Sequence, residues 1–250
     1  MIKLNDHEIV PTIFPDGTSQ VWNIPGSAFA QGNIVEWAFE SEAEFMHLAQ
    51  LKLLLDHMMY KADLSLPYLP YGRQDKRVKN SETFALRSFT RLLNTLEFDR
   101  VTVFDPHSDV ATIGPDKIKN VVVLSPRVAI NRTISACSPT RICYPDAGAF
   151  KRYNDMATRV PGIVVTKERN QQTGHVTIVD ISGDVAGQDI LIIDDICDGG
   201  MTFILTAREL LNRGARNVFL YVSHGIFSKG VEVLLDAGIN RIFTKSGEIS

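Results

Sequence analysis

The chain has 250 residues, of which 44% are hydrophobic and 22% charged, and its formal net charge is −3. This composition is typical of a globular protein with one large domain or two smaller ones. Without an excess of positive charge, the chain lacks the field that draws a protein to nucleic acid or to acidic lipid. We therefore expect neither a nucleic-acid partner nor a membrane partner.

The N-terminal segment and the cysteines predict the compartment. Asp6 and Glu8 stand where a signal peptide needs an apolar run. No stretch of the sequence approaches the roughly 20 apolar residues of a membrane span. Cys137, Cys143 and Cys197 are odd in number and form no CxxC pattern, which fits buried thiols better than a disulfide framework or a zinc site. We expect a cytoplasmic protein.

In the first half of the chain, short apolar runs alternate with a segment of helical period. Residues 64–71 predict a strand and the turn after it. Apolar residues at intervals of three and four then predict an amphipathic helix, for which Ser81 is the candidate N-cap. Residues 100–105 predict a buried strand that ends in a carboxylate. Residues 109–120 carry the weakest pattern, so we expect a domain boundary near residue 120.

The second half repeats the alternation. Strands are predicted at residues 141–144, 162–167, 189–194, 218–222 and 241–244. Helices are predicted at residues 147–158, 201–213 and 228–237. The pattern predicts an α/β fold with two similar domains, residues 1–120 and 121–250, each a mainly parallel sheet flanked by helices.

The strongest chemical signal is the stretch ILIIDDICDGGMTF at residues 190–203. Four apolar residues predict a buried strand, Asp194 and Asp195 stand at its expected end, and Gly199 and Gly200 form the turn before a helix. Ligands of open α/β sheets bind beyond the carboxyl ends of the strands, and the free N–H groups of a helix N-terminus attract anions.

These residues by themselves predict a site for a phosphorylated sugar. The two acids suit ribose hydroxyls, and the glycines with Thr202 suit a phosphate group. The alternative is an ordinary turn at the end of a strand, in which Asp198 caps the helix.

The same stretch resembles the PRPP-binding motif of type I phosphoribosyltransferase folds, which enzymes that consume PRPP share with enzymes that make it. Four further segments resemble the ribose-phosphate pyrophosphokinases (PRPP synthetases) specifically. GDVAGQDILIIDD and VSHGIFS add support, and all of these segments follow the order of that family. The four segments are TIFPDGT at 12–18, PYGRQDKR at 70–77, FDPHSD at 104–109 and YPDAGAFKR at 144–152.

The resemblance implies an enzyme that transfers the β,γ-diphosphate of ATP to the anomeric hydroxyl of ribose 5-phosphate and releases AMP, with Mg²⁺ as its cofactor. It implies ATP binding by Phe14, Asp16, Arg73, Gln74, Asp75 and His107. It implies a diphosphate loop with Asp146, Ala147, Gly148 and Arg152. It implies a ribose-phosphate loop with Asp194, Asp195, Asp198, Gly199, Gly200, Met201 and Thr202.

The resemblance also implies that His107 and Asp146 are metal ligands and that Lys167 and Arg169 are catalytic cations on the transferring group. From the residues alone, other interpretations stay open. His107 also fits a buried, hydrogen-bonded histidine, residues 73–79 a solvated basic face, and the TKERN segment a surface loop. The resemblance further implies a homo-oligomer built on dimers, up to a hexamer, in which the FPDG loop of residues 14–17 reaches the ATP site of a neighbouring subunit.

Several positions depart from the family pattern. Gly199 stands for a threonine, Met201 and Ala149 stand for glycines, and Thr18 stands for a glutamate. The changes at 199 and 201 affect the pocket for the 5′ end of the ribose. They suggest a different acceptor in place of ribose 5-phosphate, namely a 5′-extended ribose phosphate such as ADP-ribose, as in phage-type members that act in NAD salvage.

Two other classes remain as alternatives. A phosphoribosyltransferase would share residues 194–202 but has no need of the GRQD, DPH and KER segments. A non-catalytic regulatory paralogue would bind nucleotide without turnover, although Lys167, Arg169, His107 and Asp146 are all present. A P-loop kinase is excluded because the sequence has no GxxxxGK[ST].

Overall fold

The computed structural model describes residues 1–157, 159–169 and 176–249, and for residues 167–169 and 176–179 it describes the backbone alone. The chain divides into two compact units, Met1–Ser125 and Pro126–Ser250. The boundary expected near residue 120 is too early, because residues 121–124 form a strand of the first unit's sheet. Among the described residues, no helix has the length and apolar character needed to span a bilayer.

The first unit is built on a six-stranded sheet in the order β2-β1-β5-β6-β7-β8, with a separate antiparallel pair, β3–β4. The strands are β1 (Ile2–Leu4), β2 (His7–Glu8), β3 (Thr12–Ile13), β4 (Ser19–Gln20), β5 (Gly32–Trp37), β6 (Lys61–Leu66), β7 (Val101–Phe104) and β8 (Val121–Leu124). β5 to β8 pair in parallel, whereas β1 runs antiparallel to both of its neighbours.

Two helices pack on this sheet, α1 (Glu44–His57) and α2 (Ala85–Asn94). Short 3₁₀ turns lie at Gly26–Ala28 and Asp109–Ala111. α2 buries Leu86, Phe89 and Leu93, the stripe that its helical period predicts. Ser81 is not its N-cap, because the helix begins at Ala85 and Phe84 occupies the cap position.

The second unit is a seven-stranded sheet in the order β11-β10-β9-β12-β13-β14-β15. The strands are β9 (Arg141–Tyr144), β10 (Gly162–Arg169), β11 (Val176–Ile181), β12 (Asp189–Cys197), β13 (Asn217–Gly225), β14 (Ile239–Thr244) and β15 (Gly247–Ile249). The helices are α3 (Arg127–Cys137), α4 (Ala147–Tyr153), α5 (Met201–Asn212) and α6 (Glu232–Leu235). The central strands are parallel and both edge strands are antiparallel, which confirms the α/β prediction.

Two predicted strand ends are wrong for the same reason. β12 continues past Asp194 to Cys197, because Ile196 and Cys197 still pair with His224 and Gly225 of β13. β10 likewise continues to Arg169, because β11 pairs along it. Pairing with a neighbouring strand extends a strand beyond its apolar run.

The order of the second sheet creates a crevice. From β9 the chain passes through α4 to β10 on one side, and from β12 it passes through α5 to β13 on the other. Since β9 and β12 are adjacent, the connections leave their carboxyl ends in opposite directions. Such a switch point is where open α/β sheets bind ligands.

Candidate functional site

Asp146 stands at the carboxyl end of β9 and starts α4. Its side chain accepts a hydrogen bond from Ala149 N at 2.9 Å and so caps the helix. A β-carbon at Gly148 would lie 3.2 Å from Asp146 Oδ1, so the glycine leaves room for the cap. The predicted diphosphate loop is therefore a capped helix start at the switch point.

Asp194 and Asp195 lie within β12, not beyond its end. Asp195 is buried, and its Oδ2 lies 3.7 Å from Arg152 Nη1 of α4. Asp195 N donates to Asp194 Oδ1 at 2.9 Å. The ribose-phosphate loop and the diphosphate loop therefore meet in this unit through Arg152 and Asp195.

The pKa of Asp194 is raised well above the usual value of an aspartate. Burial is the main cause, and the nearby negative charges of Asp195 and Asp146 add to it. Three carboxyl groups thus lie together near the carboxyl ends of β9 and β12, and a cation or hydroxyl donors would stabilise their negative charge.

The turn after β12, residues 198–200, leads directly into α5. Gly200 occupies the N-cap position of α5 with a φ of +75°, a conformation that favours glycine. The N-cap residue of α5 is therefore Gly200 and not Asp198. Met201, the first residue of the helix, is 56% exposed, and Thr202 is half-buried.

A segment after β13 covers this turn. Ile226 N and Phe227 N both donate to Cys197 O, at 2.8 and 3.1 Å. A β-carbon at Gly199 would lie 3.7 Å from Lys229 Cε. The sequence indicated no role for Lys229 or for the buried His224. The sequence feature that could have indicated a role for this part of the chain was the family-like segment VSHGIFS, which includes His224 and ends just before Lys229.

In the first unit, four of the predicted ATP-binding residues follow two adjacent parallel strands, β6 and β7. A β-carbon at Gly72 would lie 3.5 Å from His107 Cβ, so the segment with Arg73 lies directly against His107. Tyr71 and Asp105, which lead into these segments, have positive φ values of 61° and 38°, a conformation that costs energy in residues other than glycine.

We call Arg73, Gln74, Asp75 and His107 the nucleotide surface. Gln74 N donates to Tyr71 O at 2.9 Å, and Gln74 O accepts from Leu86 N at 3.2 Å, which ties this surface to α2. His107 is exposed, so the interpretation as a buried histidine is wrong. Arg73 and Gln74 are exposed as well.

Phe14 and Asp16 belong to the hairpin formed by β3 and β4. At its tip, Phe14 N donates to Thr18 O at 2.8 Å. Asp16 Oδ1 accepts from Thr18 N at 3.0 Å and from Thr18 Oγ1 at 2.7 Å, and these bonds lower the pKa of Asp16. Thr18, which departs from the family pattern, therefore helps to fold the tip.

The predicted catalytic cations lie on β10. The backbones of Lys167 and Arg169 pair with Ile178 and Val176 of β11, and the register shifts between Thr166 and Lys167. The TKERN segment is thus strand up to Arg169, whereas a loop was expected. The side chains of Lys167 and Arg169 lie outside the described part of the structure, as does Asn170.

The predicted metal ligands are Asp146 and His107. Within the described residues, no three side chains of histidine, cysteine, aspartate or glutamate come together in a way that could hold a metal. A cation bound at either residue would need further oxygen ligands from substrate and water, which Mg²⁺ commonly takes.

Comparison with known proteins finds similarity to ribose-phosphate pyrophosphokinases. Residues 149–245 match the model of the phosphoribosyl synthetase-associated domain. The ribose-phosphate pyrophosphokinase of Sulfurisphaera tokodaii is 28% identical over 243 residues, which are 93% of this chain and 81% of that protein. The enzyme of the same name from Aquifex aeolicus is 30% identical over 206 residues, which are 78% of this chain and 65% of that protein.

A third relative, the ribose-phosphate pyrophosphokinase of Brucella melitensis, is 29% identical over 193 residues and 74% of this chain. The chain spans 61% of the length of that relative.

The crystal structure of phosphoribosylpyrophosphate synthetase from Mycobacterium smegmatis superposes with a TM-score of 0.76 at 20% identity. The superposition covers 95% of this chain and 79% of that one, and it supports the fold. On this evidence, the ribose-phosphate pyrophosphokinase (PRPP synthetase) family is supported for this chain.

Proposed function

We propose that the protein transfers the β,γ-diphosphate of ATP to the anomeric hydroxyl of ribose 5-phosphate, giving PRPP and AMP. The observation that carries the proposal is the contact between Arg152 of the diphosphate loop and Asp195 of the ribose-phosphate loop, at 3.7 Å beside the crevice. Similarity to the family and the order of its segments support the same reaction.

In the proposed reaction, the second unit holds the acceptor sugar. Asp194 and Asp195 accept hydrogen bonds from the ribose hydroxyls. The turn at Gly199 and Gly200 and the first N–H groups of α5 bind the 5′-phosphate, helped by the helix dipole. Lys229, next to Gly199, adds a positive charge on the same side.

The nucleotide surface of the first unit holds ATP. Arg73 offers a planar guanidinium that suits phosphate oxygens, and Gln74 and Asp75 are polar partners for the nucleotide. The hairpin tip with Phe14 and Asp16 would complete the site of a neighbouring subunit in a homo-oligomer.

Mg²⁺ fits the chemistry of the residues present. Asp146 is a hard oxygen ligand next to the negative charges of Asp194 and Asp195. His107 is a less usual partner for this ion. When bound, Mg²⁺ would neutralise charge on the transferring group, and Lys167 and Arg169 would stabilise the charge that develops there. The acceptor hydroxyl attacks the β-phosphorus in line, and AMP leaves.

ADP-ribose is a second candidate acceptor. Gly199 provides no side chain at the turn, and Met201 offers an exposed apolar side chain at the start of α5. Such a surface suits a 5′ substituent larger than a phosphate. The product would then be a diphosphorylated ADP-ribose, within NAD metabolism.

The test is mass spectrometry of the products formed from ATP and Mg²⁺ with ribose 5-phosphate or ADP-ribose. AMP and PRPP are expected with ribose 5-phosphate. A clear preference for ADP-ribose would select the second acceptor. ATP binding without AMP release for either acceptor would contradict both proposals and indicate a non-catalytic regulatory paralogue.

A further inference from the structure

Helix α1 holds the β3–β4 hairpin through three side-chain hydrogen bonds. His47 Nε2 lies 2.8 Å from Ser19 Oγ. Gln50 Nε2 donates to Ser19 O at 2.9 Å, and Gln50 Oε1 accepts from Val21 N at 2.7 Å. His47 and Gln50 are three residues apart on the helix, so both face the same short segment.

The backbone ladder of the hairpin is short. Its ladder consists of two residue pairs, Thr12 with Gln20 and Ile13 with Ser19. A two-stranded ladder of this length is at best marginally stable in water. Ile13 is 61% exposed, so burial of this strand contributes little. By contrast, His47 is buried at the contact with Ser19.

The contacts continue from Ser19 to the tip. Thr18, the residue before Ser19, bonds to Asp16 through its N–H and its hydroxyl. Thr18 O also accepts from Phe14 N. A shift of Ser19 would therefore displace both tip residues that are predicted to contact the nucleotide.

We propose that His47 and Gln50 are positioning residues for nucleotide binding, acting through Ser19 on the tip of the hairpin. The inference rests on the proposed function, in which this tip contacts ATP. A loosely paired hairpin has to be ordered when ATP binds, and that ordering weakens affinity. Two side chains that order it beforehand strengthen ATP binding without touching the acceptor sugar.

The test compares Gln50→Leu, Ser19→Ala and Ser19→Thr with the wild type. Gln50→Leu removes two hydrogen bonds, so KM for ATP is expected to rise about tenfold, since each bond contributes about a factor of three to ten. Ser19→Ala removes the His47 contact and is expected to raise this KM about threefold. Ser19→Thr keeps the hydroxyl and is expected to behave like the wild type.

KM for the acceptor and kcat are expected to stay within about twofold of the wild-type values in all three variants, because ordering the hairpin affects nucleotide binding alone. Leu53→Ala is the matched control, since Leu53 lies on α1 but is 70% exposed. It should change neither KM nor hairpin order.

Acrylamide quenching of tryptophan fluorescence reports hairpin order independently of turnover. The chain has two tryptophans, and Trp37 is 1% exposed whereas Trp22 is 47% exposed, so quenching reports Trp22. Trp22 Nε1 donates to Thr12 Oγ1 at 2.8 Å and its ring meets Phe14 edge-on. Quenching should rise in Gln50→Leu and stay unchanged in Leu53→Ala.

An unchanged KM for ATP in Gln50→Leu, with thermal unfolding like that of the wild type, would overturn the inference. If the wild type forms no AMP with either acceptor, the proposed function fails, and calorimetric titration with ATP then decides the inference. An affinity about tenfold weaker in Gln50→Leu would support the positioning role, and an equal affinity would refute it.

Discussion

Replacing Gly200 by alanine tests the turn that presents α5 to the acceptor. Gly200 has a φ of +75°, and an alanine β-carbon there would lie 2.9 Å from Leu234 Cδ2. The left-handed conformation costs an alanine about 1–2 kcal/mol. Because Leu234 is fully buried, its methyl group cannot move aside freely, and overpacking of this kind adds about 1–3 kcal/mol.

The expected loss in the free energy of unfolding is therefore about 2–5 kcal/mol, the sum of both effects. Gly187→Ala is the matched control. Gly187 has a φ of +68°, but a β-carbon there would meet no atom within 4 Å. This variant should show the conformational cost alone, about 1–2 kcal/mol.

Urea unfolding of both variants, followed by far-UV circular dichroism, measures the difference. At a temperature where Gly200→Ala is still folded, its KM for the acceptor sugar should rise while KM for ATP changes little. Equal destabilisation by the two substitutions, together with an unchanged KM for the acceptor, would refute the assignment of this turn to acceptor binding.

Three further predictions concern charged side chains. Lys167→Ala should lower kcat about 100-fold or more while ATP still binds, and unchanged turnover would contradict a catalytic role. Arg152→Met should lower kcat/KM about tenfold to 100-fold, whereas Lys151→Met, one residue earlier on α4 and exposed, should have little effect. Glu44→Gln should lower stability by about 1–3 kcal/mol at pH 7, measured by urea unfolding, and the difference from the wild type should shrink in acid.

The sign of the Glu44 prediction follows from its contacts. Burial acts to raise the pKa of Glu44, but hydrogen bonds from the N-terminal amine, Trp37 Nε1 and the N–H groups of Glu40 and Ser41 outweigh it, so the folded pKa is lowered. A lowered carboxylate pKa contributes stability above the unfolded value and loses it as the pH falls through the folded value. A constant difference between the two proteins across this range would disprove the account.

Much of the fold follows from local patterns. The apolar runs predicted the position of each central strand of the second unit, and the boundaries of β9 were correct. The stripe on α2 was predicted because helical period and burial coincide there. Ser81 failed as a cap because α2 begins four residues later, at Ala85, with Phe84 at the N-cap position.

The sequence alone predicted the α/β class and the resemblance to the family, because apolar period and contiguous motifs are local properties. Only the tertiary structure decided that Asp194 and Asp195 lie within β12, since pairing with β13 extends the strand. It also brought Lys229 to Gly199 and His47 to Ser19. Those contacts join residues 28 or more positions apart, and no local pattern encodes them.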